Sequence, residues 1–216
     1  QIGLDGAYLW GGAALPEGMT YAEYAQRGAY PLLATAMLAG LFAIVARPFT
    51  DGQPLLCGVL LLWLAQNVLL CASALWRLDL YVAAFGLTYL RVRAGIWMAL
   101  VAVGLGLVAW QVLRARSNGW LLRRGVAVGL ATLYGCAFVN FAALIAAHNI
   151  GDADTPLDRH YLCELGPLAA GPILEAGLPA GCALAGPAVH GWRDWSFRAW
   201  RVRAKVPALT TEGDVR

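Results

Sequence analysis

The sequence is poor in charge. Only 13% of its 216 residues are charged, whereas 60% are hydrophobic, and its mean hydropathy is +0.60. A soluble domain is closer to half apolar and a quarter charged. So few charges cannot cover a water-exposed surface, which excludes an ordinary soluble globular protein. The net charge of +3 does not indicate nucleic-acid binding, because the basic residues lie at the ends of apolar runs and in the tail.

Recognised signatures of catalysis and metal binding are also missing. There is no G-x-S-x-G, no Walker loop and no dinucleotide-binding glycine pattern. The three histidines, His148, His160 and His190, are scattered singly, and the five cysteines form no zinc-binding spacing. We therefore predict no metal, no cofactor and no catalytic residue. Whether the protein is an enzyme is uncertain, and the sequence favours the view that it is not.

The cysteines are better explained as buried small side chains. Cys57 and Cys71 lie on one apolar run, about 20 Å apart if that run is helical, so they cannot form a disulfide with each other. A disulfide between Cys163 and Cys182 requires that their segment face an oxidising compartment.

Long hydrophobic runs are abundant. A bilayer core of about 30 Å requires roughly 20 apolar residues per helix, and four runs approach or exceed that length: residues 31–46, 54–75, 94–113 and 125–147. In lipid the backbone must bond to itself, so these runs are helices. None has an ionisable residue at its centre, which argues against a proton-coupled carrier or an ion pump. The sequence predicts an all-α, polytopic transmembrane bundle of about four spans.

The organisation along the chain follows from these runs. We predict an extramembrane segment with an interfacial helix (1–30), a four-span domain (31–147) and a short helical extension with a basic Trp/Arg tail (148–216). The chain opens without a methionine or a signal peptide. We interpret it as the downstream part of a longer chain, whose upstream transmembrane helices and the lipid bilayer are its expected partners. The sequence identifies no protein partner.

Polar residues precede the first span in "TYAEYAQRGAY". Thr20 and Glu23 have the spacing of a capping box, and Glu23 stands four residues before Arg27, the favourable order for a helical ion pair. Tyr21 and Tyr24 fall on one face and suit the headgroup layer. These residues form either a capped interfacial helix or part of a ligand site.

A second polar group precedes the third span. The pattern allows a helix from residue 80 to 113, with Asp79 as its N-cap. Such a helix would run about 50 Å, so it tilts, breaks near Gly86 or Gly95, or projects into the headgroups. The polar residues just before the third span are Tyr81, Tyr89 and Arg91. They form either an amphipathic interfacial helix or part of a ligand site.

Few polar residues lie within the spans. Gln66 and Asn67 are in the middle of the second, and Asn140 is in the fourth. At that depth polar side chains generally bond across to other helices, so we expect them to hold the bundle together; a transport path is the alternative. Gly125 and Gly129 form a GxxxG pattern that allows close helix packing.

Five phrases together resemble a family of bacterial multi-pass membrane proteins catalogued as domain of unknown function 4153 / 4173. They are "LPEGMTYAEYAQRGAY", "LYVAAFGLTYLRVR", "FVNFAALIAAHNI", "LDRHYLCEL" and "WRDWSFRAWRVR". The resemblance implies additional upstream spans and a bacterial inner membrane, and it names no reaction. The family pattern has Pro-Asp after the asparagine of the fourth span, whereas here Asn140 is followed by Phe141 and Ala142.

Three functions compete. The favoured one is a non-catalytic assembly or signalling component of the inner membrane. The second is a transporter or permease subunit using Gln66, Asn67 and Asn140. The third is a membrane-interface enzyme acting on an amphiphilic substrate, for which the candidate cluster is Tyr21, Glu23, Tyr24, Arg27, Tyr81, Tyr89 and Arg91.

The arginine counts on the two sides of the membrane are equal, but the loop "RARSNGWLLRR" concentrates four of the arginines. This concentration favours a cytoplasmic position for that loop.

Overall fold

The computed structural model describes residue 34 and residues 37–45, 53–152, 157–177, 187–188 and 191–213, the last seven by their backbone alone. These residues form helices and connecting turns, with no strand among them, so the predicted all-α class is confirmed. The chain divides into two compact units. Unit 1 comprises the described residues up to Ala84 together with Leu90–Thr132, and unit 2 comprises Phe85–Tyr89 and the described residues from Leu133 onwards.

Three long helices carry the apolar runs. They are α1 (Pro54–Phe85), α2 (Tyr89–Leu113) and α3 (Asn118–Phe138), and each is long and apolar enough to cross a membrane. Residues 37–45 are also helical. They fall inside the first predicted span, whose other residues lie largely outside the described part. The helices are those of a membrane-spanning bundle.

The boundary between the second and third spans differs from the prediction. Helix α1 does not end near residue 75 but continues to Phe85, so that it has 32 residues. Asp79, predicted as an N-cap, is an exposed residue inside α1. The reason is that no glycine or proline lies between Gly58 and Gly86 to stop the helix. The break near Gly86 is confirmed, and Gly95 lies within α2.

The fourth run is also divided. Helix α3 ends at Phe138, and a shorter apolar helix, α4 (Phe141–Gly151), begins after Asn140. The Oδ1 atom of Asn140 accepts a hydrogen bond from the backbone N–H of Ala143, at 3.2 Å. An asparagine side chain competes with the helical backbone in this way, so Asn140 starts a new helix instead of lying within one.

Unit 1 is held together by apolar contacts. Its core contains Ala43 of the 37–45 segment, Leu60 and Leu64 of α1, and Leu105 and Val108 of α2. Helix α3 contributes no buried residue. The predicted close packing at Gly125 and Gly129 does not occur among the described residues, where a Cβ at either position would meet nothing within 4 Å.

Unit 2 is built from shorter pieces. After α4 come α5 (Arg159–Glu164), a 3-10 turn (Pro167–Ala169), α6 (Ala170–Glu175) and α7 (Phe197–Gly213). Ala170, Val202 and Val206 form a core in which α6 packs against α7. Asp158 caps α5, its Oδ1 accepting from the N–H of Tyr161 at 3.0 Å.

Candidate functional site

Residues Gly86, Leu87 and Thr88 interrupt the helix between α1 and α2, and we call them the hinge. Gly86 has φ +74°, a conformation that glycine adopts without steric cost. A Cβ at this position would lie 3.0 Å from Oδ1 of Asn149. The hinge therefore requires glycine both for its backbone conformation and for the space beside it.

The side chain of Asn149, near the end of α4, bonds both polar groups of Leu87. Its Oδ1 accepts from the Leu87 N–H at 2.6 Å, and its Nδ2 donates to the Leu87 carbonyl oxygen at 2.9 Å. The Tyr161 hydroxyl accepts from the N–H of Tyr89, the first residue of α2, at 3.1 Å. Two helices distant in sequence thus supply hydrogen-bond partners to Leu87 of the hinge and to the first residue of α2.

These bonds have a clear physical role. A helix end leaves backbone N–H and C=O groups without partners inside the helix, and in lipid each unsatisfied group costs several kcal/mol. Asn149 and Tyr161 satisfy such groups at the break between two apolar helices. The Asp158 cap fixes the start of α5 and thereby positions Tyr161, which lies in its first turn.

The structure brings together two residues of the predicted cluster. The guanidinium carbon of Arg91 lies 4.5 Å from the centre of the Tyr81 ring, within the range of a cation–π contact. A continuous helix would have kept these residues nearly three turns apart, so the hinge creates this contact. Four further members of the cluster lie outside the described residues: Tyr21, Glu23, Tyr24 and Arg27.

The intramembrane polar residues have separate environments. Gln66 is exposed on α1. Asn67 is buried, and its Nδ2 donates to the carbonyl of Trp63 in the same helix at 2.8 Å, not across to another helix. Asn140 caps α4 through Oδ1, while its Nδ2 donates to the carbonyl of Leu168 at 2.9 Å. Asn140 is therefore a link between α4 and the 3-10 turn.

Sequence reasoning missed three buried polar side chains in unit 1: Ser73, Arg77 and Gln111. Arg77, which follows the predicted second span (54–75), is 1% exposed within α1. Gln111 is 0% exposed, and its Nε2 donates to Oδ1 of Asn118 at 2.7 Å, joining the end of α2 to the start of α3. Their burial follows from tertiary packing and has no signal in the local pattern.

Potential metal ligands are dispersed. Within the part of the chain that the structure describes, no three His, Cys, Asp or Glu side chains are grouped to hold a metal ion. His160 Nε2 lies 3.1 Å from Oε1 of Glu164 in an exposed pair on α5. Cys163 is in a disulfide, and Cys182, the partner considered in the sequence analysis, lies outside the described residues.

A protein-family model covers the hinge, α4 and α5. The family model described as domain of unknown function (DUF4153) matches residues 1–176, which is most of the chain. The chain belongs to the DUF4153 family. No curated protein and no solved structure matches it.

Three of the phrases that suggested DUF4153 meet at the hinge. Leu87 and Tyr89 belong to "LYVAAFGLTYLRVR", Asn149 to "FVNFAALIAAHNI" and Tyr161 to "LDRHYLCEL". The sequence contained the signal for Asn149 and Tyr161 in these phrases, but not the pairing between them and the hinge. The hinge with its two side-chain partners is the candidate functional site of this DUF4153 chain.

The residues at which this chain departs from the expected DUF4153 pattern lie at the start of α4. Phe141 and Ala142, where the resemblance implies Pro-Asp, are the first two residues of α4 after the Asn140 cap. Proline suits the first helical position and an acid suits the first turn. A Pro-Asp pair at these two positions would therefore fit a helix start.

Proposed function

We propose that this integral membrane protein is a non-catalytic component of the bacterial inner membrane that acts in assembly or signalling. The observation that carries the proposal is how the polar side chains of the hinge region are used. Asn140, Asn149 and Asp158 bond backbone groups, as does the Tyr161 hydroxyl. Side chains engaged in this way hold a conformation and are poorly disposed to bind a substrate.

The hinge offers a route by which a signal could pass. Asn149 ties the α1–α2 hinge to α4, and Tyr161 ties the first residue of α2 to α5. A partner that displaces α4 or α5 would break bonds to the hinge backbone, and both adjoining helices would respond. This mechanical link suits a component whose task is to transmit or maintain a conformation.

Two features support an orientation. Arginines flank the α2–α3 turn, where Arg114 lies 5.0 Å from the Trp110 ring and Arg124 lies 5.9 Å from the Trp120 ring. Short arginine-rich loops favour the cytoplasmic side. A disulfide at Cys163 favours an oxidising compartment for α5. Both preferences are met if α3 crosses the membrane once, with the α2–α3 turn in the cytoplasm and α5 outside.

The interface enzyme is the second candidate, because Tyr81 and Arg91 do touch. A matched pair of variants separates it from the favoured function. Tyr81→Phe keeps the ring beneath the guanidinium and removes only the hydroxyl, and Arg91→Lys keeps the positive charge. A non-catalytic protein tolerates both changes, whereas proton transfer by Tyr81 or bidentate anion binding by Arg91 does not.

The measurement is rescue of a strain that lacks the gene, with membrane abundance determined for each variant. We expect Tyr81→Phe and Arg91→Lys to rescue, and Asn149→Ala to fail. Loss of rescue by Tyr81→Phe at normal abundance would overturn the non-catalytic proposal and favour the enzyme.

A further inference from the structure

Unit 2 contains a cavity of about 420 Å³, and Asn140 is the one residue of its lining that the proposed function uses. Helix α7 forms one wall, and the start of α4 and the 3-10 turn with α6 form the others. We call it the α7 cavity. Six residues carry the argument: Phe138, Leu144, Glu175, Arg198, Arg201 and Lys205.

The charged lining is mainly basic. Helix α7 provides Arg198, Arg201 and Lys205, and α6 provides one acid, Glu175, whose Oε1 lies 4.0 Å from Nζ of Lys205. That contact is a loose, exposed ion pair. Among the described residues neither arginine forms an ion pair with a carboxylate, so the cavity keeps an excess of two positive charges.

Apart from Asn140, the rest of the lining is apolar, and it lies next to a membrane-spanning helix. Phe138 is the last residue of α3, and its side chain and that of Leu144 are exposed at the cavity. The end of a span lies at the level of the lipid headgroups. Exposed Trp195 and Trp200, before and within α7, are residues typical of the same level.

We propose that the α7 cavity binds one anionic phospholipid, with its phosphate held by Arg198 and Arg201 and the start of an acyl chain against Phe138 and Leu144. Arginine suits phosphate because its planar fork donates two parallel hydrogen bonds. An apolar rim beside the cationic pair matches an amphiphile better than a free anion. This inference rests on the membrane setting of the proposed function and is independent of whether the protein is catalytic.

The test uses the full chain purified in a neutral detergent, titrated with phosphatidylglycerol or phosphatidylcholine and monitored by native mass spectrometry. The test variant is Arg198→Gln/Arg201→Gln. The control is Arg193→Gln/Arg203→Gln, which removes the same charge from the same unit outside the cavity. Arg201→Gln alone is a second test variant, because the exposed Arg201 side chain contributes little to folding.

We expect wild type and control to bind phosphatidylglycerol in preference to phosphatidylcholine. Binding should weaken roughly five-fold in Arg201→Gln and about tenfold or more in the double variant, since each basic group near an anionic surface contributes on this scale. Equal weakening in test and control variants would show that general surface charge suffices and would overturn the proposal. So would equal binding of the two lipids.

Two competitors identify the source of the anion. Glycerol 3-phosphate that displaces the lipid at the lipid's own concentration would assign the site to free phosphates, and an acidic peptide that does so would assign it to a protein. Either result overturns the proposal. The membrane setting is tested separately: release of the chain from membranes by alkaline carbonate would contradict the proposed function, whereas loss of lipid selectivity alone would not.

Discussion

Asn149 bonds both the N–H and the C=O of Leu87, a residue 62 positions earlier in the chain. A carboxamide has a donor and an acceptor side by side, so it can pair with the N–H and the C=O of one residue, as a neighbouring strand would. Leu87 belongs to the three-residue hinge, where the helical bonds of α1 have ended and those of α2 have not begun. The conformation of the hinge thus depends on a residue in a distant helix.

Replacing Asn149 with Ala is expected to lower the free energy of unfolding by about 2–4 kcal/mol, because two partly buried backbone groups lose their partners. Denaturant unfolding in detergent, followed by circular dichroism, measures the change. His148→Ala is the matched control, since His148 is exposed on the same helix. Equal destabilisation by the two variants would contradict the role given to Asn149.

Gly86→Ala tests whether the hinge backbone requires glycine at position 86. The left-handed conformation costs a non-glycine residue about 1–2 kcal/mol, and the new Cβ would lie 3.0 Å from Oδ1 of Asn149. We expect a loss of stability of at least this size by the same unfolding assay. Gly106→Ala should be neutral or stabilising, because Gly106 is helical and a Cβ there meets nothing within 4 Å.

The energetic coupling between Gly86 and Asn149 is a more specific test than the loss of stability in either single variant. Once Asn149 is Ala, the added Cβ at position 86 no longer displaces a hydrogen-bonded carboxamide. The double variant is therefore expected to be less destabilised than the sum of the single variants. Additive losses would show that the two residues act independently.

Much of this architecture could be predicted from local pattern. Apolar run lengths predicted the helices, and Gly86 was one of the positions at which a break was expected. The predicted end of α1 was wrong although the sequence has no glycine or proline between Gly58 and Gly86, whereas the division of the fourth run depends both on the local cap by Asn140 and on a tertiary partner. Asn140 resembles any polar residue within a span until Leu168, 28 positions later, provides a carbonyl for its Nδ2. For the same reason Asn149 and Tyr161 could be noticed but not paired with the hinge.

The disulfide gives a prediction about compartment. Alkylation of the denatured protein without reduction should label three cysteines, Cys57, Cys71 and Cys136, and all five after reduction. If the partner of Cys163 is Cys182, which the sequence allows only in an oxidising compartment, the bond closes a loop of about 20 residues, and reduction should lower the free energy of unfolding by about 3 kcal/mol. Cys136→Ser is the neutral control. Labelling of Cys163 without reduction, in protein isolated from cells, would contradict an oxidising location for α5.

The start of α4 allows a test of the helix-start interpretation of the family's Pro-Asp pattern. Phe141 is the first helical residue, and Asn140 before it has φ −84° and ψ 89°, which lies outside the α region that a following proline disfavours. Phe141→Pro should be more stable than Phe141→Ala, which removes the same ring, by about 0.4–1 kcal/mol, because proline restricts the unfolded chain.

Three residues further on, proline should have the opposite effect. The N–H of Leu144 donates to the carbonyl of Asn140 at 3.0 Å, and a proline at 144 would remove this bond and clash with the same carbonyl. Leu144→Pro should therefore be less stable than Leu144→Ala by about 3 kcal/mol. The sign of each Pro–Ala difference, measured by denaturant unfolding, is the criterion. A Phe141→Pro variant that is less stable than Phe141→Ala by a similar amount would place position 141 inside a helix that continues from α3.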